Sequence, residues 1–102
     1  AGKTVDSAIT GEARYVLGEV GLIPYHLMGT AALADAFSSV MKNHNAAIMA
    51  KHGALTLGKN LFEAYDRMEV LENTAHICHN LISINAFSRL GDAEIAEIEN
   101  LK

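Results

Sequence analysis

Apolar side chains along this sequence recur at helical spacing in some stretches and gather into short unbroken runs in others. Thr10-Gly11-Glu12-Ala13-Arg14-Tyr15-Val16-Leu17 begins with a hydroxyl that can cap a helix and sets Ala13, Val16 and Leu17 on one face. That spacing predicts a short helix closed by Gly18. Val20 to Tyr25 is a brief apolar run whose Pro24 fits only a sheet edge or a strand end, so a short strand leading into a loop is expected. After Gly29-Thr30, the positions Leu33, Ala36, Phe37, Val40 and Met41 predict a helix of about four turns, broken by Lys42-Asn43-His44-Asn45.

Ala46 to His52 and Ala54 to Leu57 flank Gly53 as two further short strands. Asn60 followed by Glu63 has the form of a capping box with Asn in place of Ser or Thr. It opens the longest helical pattern, in which Leu61, Ala64, Met68, Leu71, Ala75, Cys78 and Ile82 form one stripe expected to be buried against the strands. Asp92 is read as the cap of a last amphipathic helix with Ile95, Ile98 and Leu101 on its inner face. Together these elements describe a mixed α/β domain without internal repeats. Short strands alone leave sheet edges unpaired, so additional sheet is expected to cover them.

The 102 residues allow one domain, and with half of them hydrophobic and a fifth charged the composition is globular. A net charge of −4 and the absence of a basic cluster argue against nucleic-acid binding. No stretch has the ~20 apolar residues of a membrane span, and the polar start from Ala1 to Asp6 does not read as a signal peptide. The single Cys78 has no internal partner, so a cytoplasmic location is the expectation.

Candidate chemistry centres on histidine. His52, between an apolar run and a glycine, suits a metal ligand or a general base, and it equally suits a half-buried imidazole bonded to a nearby carbonyl. His76 and His79 are neighbours on a helix face, whereas Cys78 turns about 200° away from His76, so two polar-face histidines beside a buried cysteine are expected. His26 and His44 fall in loops and are read as solvent-exposed, and Asp66, Arg67 and Glu69 to Glu72 as a solvated helix face. Neither a glycine-rich phosphate loop nor a Gly-x-Ser-x-Gly elbow is present. Residue chemistry alone yields no complete active site.

Taken in order, Ile23-Pro24-Tyr25, Gly29-Thr30-Ala31-Ala32-Leu33-Ala34, Ala46 to Ala54, Gly58-Lys59-Asn60-Leu61-Phe62-Glu63-Ala64 and Glu69-Val70-Leu71-Glu72 resemble the C-terminal half of the class II aldolase and adducin family, most of all its L-fuculose-phosphate aldolases. The resemblance runs from about Ser7 to Lys102. It implies a three-layer α/β/α domain with a largely antiparallel central sheet, of which residues 1–102 are the C-terminal portion and the N-terminal half is absent. It also implies a homotetramer with sites at subunit interfaces. The family's zinc-ligating His falls on His52, and Lys51 replaces the Asn of its Asn-His-Gly-like motif.

In such enzymes Zn2+ acts as a Lewis acid in retro-aldol cleavage of a sugar phosphate, as of L-fuculose 1-phosphate to dihydroxyacetone phosphate and an aldehyde. The family's His-x-His pair, its acidic residue and its phosphate loop are missing here, so only His52 is assigned and no catalytic residue is named. Tyr25 is read as structural. A pentulose-phosphate 4-epimerase and a non-catalytic oligomerisation domain like the adducin head are the alternatives that the same resemblance leaves open.

Overall fold

The computed structural model describes residues 5–101; the first residues of the polar start, 1–4, lie outside them. A short 3-10 helix, Ser7–Ile9, leads into α1 (Gly11–Leu17), β1 (Gly21–Ile23), α2 (Ala31–Met41), β2 (Ala46–Met49), β3 (Gly53–Thr56), α3 (Leu61–Ser83) and α4 (Asp92–Glu99). The caps foreseen for three helices are in place. Thr10 Oγ1 accepts from the Ala13 N–H, Thr30 Oγ1 from Leu33 and Asn60 Oδ1 from Glu63, each removing one orphan donor of a first turn.

Some boundaries depart from the pattern. Helix α2 has 11 residues, about three turns rather than four. The Glu63 carboxylate does not close the box on Asn60 but accepts from the Lys59 N–H at 2.8 Å, one residue earlier. Asp92 is the first residue of α4 and Gly91 its cap, with Glu94 reaching back to accept from the Gly91 N–H at 2.9 Å. The stripe on α3 is buried only in its middle, at Leu71 and Cys78, whereas Leu61 and Ile82 at its ends are 84% and 62% exposed. Helix α3 is 23 residues long and outruns the short strands β2 and β3 on which it packs.

The sheet has the order β1-β2-β3, with β1 parallel to β2 and β2 antiparallel to β3. It is therefore mixed rather than largely antiparallel. The parallel pairing needs a crossover, and α2 provides it. Strand β2 sits in the centre, and its side chains alternate between two cores. Ala46 and Ile48 join Leu17, Val20 and Leu71 under α1 and α3, while Ala47 and Met49 join Ile23 and Met41 under α2. Helices on both faces of the sheet make the three layers α/β/α.

Two glycines are fixed by close approach. A Cβ on Gly21 would lie 2.7 Å from Val40 Cγ1 of α2, and one on Gly58 would lie 2.5 Å from the Ala64 backbone nitrogen. Among the described residues no helix is long and apolar enough to cross a membrane. The accessible surface is 6715 Å², against about 5,600 Å² for a compact monomer of this mass. Leu61, Phe62, Tyr65, Ile82 and Ile84 are among the large apolar side chains left exposed.

Gly58→Ala is expected to destabilise the fold by about 1–3 kcal/mol, since the obstruction is helix backbone that cannot rotate away; urea denaturation measures it. Glu63 is expected to make stability pH-dependent. The Lys59 N–H bond, aided by Arg67, holds its carboxyl below the ordinary carboxylate value against a smaller opposing effect of burial. A lowered folded-state pKa stabilises above the unfolded value, and that contribution disappears as pH falls through the folded one. The stability curves of the native protein and Glu63→Gln should therefore converge in acid.

Candidate functional site

The β2–β3 turn carries His52. After Met49 the chain reverses through Lys51, at φ 67, and Gly53, at φ 151, and the His52 N–H donates to the Met49 carbonyl at 2.9 Å. Strand β2 thus ends three residues before the strand expected over Ala46 to His52, because a left-handed residue at Lys51 turns the backbone back to pair as β3. Strand β1 runs parallel to β2, so the loop that follows it emerges at the same end of the sheet. The Ala50 N–H donates to the Ile23 carbonyl at 2.9 Å and ties the turn to that loop.

Loop residues Tyr25 and His26 hold the His52 ring from two directions. Tyr25 stacks on it with centroids 5.4 Å apart and planes 8° from parallel. His52 Nε2 lies 3.0 Å from the His26 carbonyl oxygen. A carbonyl only accepts, so Nε2 carries the hydrogen, and in the neutral ring the lone pair sits on Nδ1. The residue is exposed, yet its ring has a defined plane and tautomer. Thr30 donates to the Leu27 carbonyl at 2.6 Å and anchors the far end of the loop to the start of α2. A hollow of about 500 Å³, lined by Gly29, Thr30, Leu33, Phe37 and Met49 among others, lies between that helix and the end of β2.

Other candidates are not brought to this place. His76 and His79 are exposed on α3. Cys78 is buried, with Sγ 3.6 Å from the Asp6 carbonyl, and burial pushes its thiol pKa up, so it is neither a ready nucleophile nor a ready ligand. His44 is not the free loop residue expected: its Nδ1 is 2.8 Å from the Val40 carbonyl and its Nε2 is 3.7 Å from Glu19. Among the described residues no three His, Cys, Asp or Glu side chains gather to hold a metal. A catalytic zinc takes three protein ligands, so the described residues do not make a zinc site by themselves.

Arg67 was expected on a solvated face and instead closes the fold. It donates to the Leu57 carbonyl at 2.6 Å, the Val16 carbonyl at 3.3 Å and Glu63 at 3.0 Å. It thereby joins α3 to the end of α1 and the exit of β3. Nothing in the local charge pattern marks this, because the carbonyls it meets are 51 and 10 residues away in sequence.

Comparison with known proteins establishes the family and the fold. The family profile described as the class II aldolase and adducin N-terminal domain matches residues 2–79. The chain belongs to the class II aldolase and adducin family. L-fuculose phosphate aldolase of Methanococcus vannielii is 41% identical over 76 residues, covering 74% of this chain and 41% of the relative. The 3-oxo-tetronate 4-phosphate decarboxylase of Haemophilus influenzae is 31% identical over 84 residues, covering 82% of this chain and 40% of that protein.

Among solved structures, YgbL of Klebsiella pneumoniae superposes with a TM-score of 0.84 at 26% identity, over 96% of this chain and 47% of YgbL. YgbL of Escherichia coli gives 0.80 at 30% identity, over 92% of this chain and 47% of the other. The chain spans less than half the length of these relatives.

Lys51 bears a left-handed backbone that asparagine tolerates better than lysine. Lys51→Asn is expected to raise stability by about 0.5–1 kcal/mol in thermal or urea denaturation, with the hairpin unchanged in its amide spectrum.

Proposed function

We propose that this chain is the later part of a class II aldolase-type domain, in an enzyme that breaks a carbon–carbon bond beside a carbonyl of a phosphorylated sugar, with His52 as one ligand of a zinc ion. The observation that carries the reading is the exposed imidazole at the hairpin tip, held in one plane by Tyr25 and the His26 carbonyl. Ordinary surface histidines move between rotamers on the picosecond-to-nanosecond scale, and a metal ligand needs a defined orientation.

The two activities named among the relatives share one electronic step. Retro-aldol cleavage and decarboxylation of a 3-oxo acid both leave an electron pair on a carbon next to a carbonyl, where it delocalises as an enolate. The fragment lost is an aldehyde in the first case and carbon dioxide in the second. A bound zinc supplies Lewis acidity at the carbonyl oxygen. His52, with its lone pair on one ring nitrogen and its hydrogen spent on a backbone carbonyl, is suited to hold such an ion, and the remaining ligands come from outside this chain.

Cleavage of an L-fuculose-phosphate-like substrate is the preferred reading, supported by the relative of 41% identity. Decarboxylation of a phosphorylated 3-oxo acid is the second, supported by relatives at 31% and 38% identity. The surface excess and the exposed Leu61, Phe62 and Tyr65 support packing against further chain and further subunits, which we read as a homotetramer.

The test is metal analysis and product assay of a protein carrying the whole domain. About one zinc per subunit is expected, with at least a ~100-fold loss of zinc affinity and of cleavage in His52→Ala. Dihydroxyacetone phosphate as product supports the aldolase, and carbon dioxide supports the decarboxylase. Unchanged metal content in His52→Ala overturns the assignment of His52. A metal-free assembly that cleaves neither substrate is the outcome expected of an adducin-like oligomerisation domain.

A further inference from the structure

We infer that Tyr25 is a positioning residue for His52, acting through the face of its ring and not through its hydroxyl; the inference deepens the zinc-ligand reading and rests on it for its functional consequence. Two contacts converge on one imidazole and constrain different motions. The bond from Nε2 to the His26 carbonyl lies at the ring edge and fixes how the ring is turned about its own bond to the chain. The Tyr25 ring lies nearly parallel to the imidazole in an offset stack on one face, and the residue as a whole stays exposed.

Both contacts come from consecutive residues placed by the sheet. Ile23 is the last paired residue of β1, opposite Met49, and Pro24 follows with its fixed φ and no N–H to continue the ladder. Tyr25 and His26 therefore leave the sheet beside the turn that carries His52, and the Ala50 N–H bond to the Ile23 carbonyl keeps the two segments together. Tyr25 is itself 53% exposed, so it is not a core residue whose loss would empty a cavity. No hydrogen bond to its hydroxyl is needed for the stack, and a phenyl ring offers the same face.

The experiment has two arms. Proton–carbon correlation spectra of the 102-residue chain follow the ring protons of His52, assigned with His52→Ala. They should appear upfield of those of a freely rotating histidine. Tyr25→Phe should keep that ring-current shift, and Tyr25→Leu should abolish it while backbone amides outside the loop and turn stay in place. Unchanged His52 ring signals in Tyr25→Leu overturn the inference, and so does their loss in Tyr25→Phe.

In the second arm, zinc affinity of a protein carrying the whole domain should fall about 10-fold in Tyr25→Leu and recover in Tyr25→Phe, as for other groups that orient a metal ligand. Equal affinity in all three removes the functional part of the inference. If His52→Ala leaves zinc binding intact, the zinc-ligand reading fails and with it that functional part, while the first arm still decides whether Tyr25 orients the ring.

Discussion

The burial of β2 on both faces is the constraint on which the rest of this structure depends. Ala46 and Ala47 are both fully buried, one under α3 and the other under α2. Small side chains there let two helices approach a central strand of only four residues. A larger residue at either position would push a helix off the sheet and separate the layers. Because β2 is pinned from above and below, the turn that follows it has a fixed place, and His52 inherits that place.

Polar groups tie the periphery to this centre. Arg67 holds α3 against the ends of α1 and β3. Arg14 donates to Ser7, whose hydroxyl donates to the Gly18 carbonyl, and so joins the 3-10 helix to the C-terminus of α1. Asp6 caps that 3-10 helix through Oδ1 and pairs with Arg89 through Oδ2 at 2.8 Å, which brings the α3–α4 connection back to the start of the described chain. Bonds of this kind are individually modest at a surface, and here they set geometry more than they set stability.

The geometry around His52 follows from where the sheet ends. Parallel pairing of β1 with β2 delivers a loop and a hairpin turn to the same edge, and the loop's Tyr25 and His26 orient the turn's His52. Both relatives discussed above act on phosphorylated compounds by their names, and both reactions place an electron pair beside a carbonyl.

The sequence by itself determined the order of helices and strands, the capping residues Thr10, Thr30 and Asn60, and the prominence of His52 beside Gly53. These are local properties: a cap acts over three residues, and apolar periodicity reports on the next turn of chain. What it left open was decided by contacts between distant segments. The direction of β1 against β2 is not carried by either strand's composition; its one signal in the sequence is the strand–helix–strand order through α2, which the expectation of a largely antiparallel sheet did not use. Arg67 looked solvated because, besides Glu63 on its own helix, its acceptors are the Val16 and Leu57 carbonyls, groups that every residue carries and no pattern marks. The ends of the α3 stripe looked buried because periodicity gives a helix its apolar face but not the length of the surface opposite. The stack of Tyr25 on His52 joins residues 27 positions apart, and only the folded sheet brings them within reach of each other.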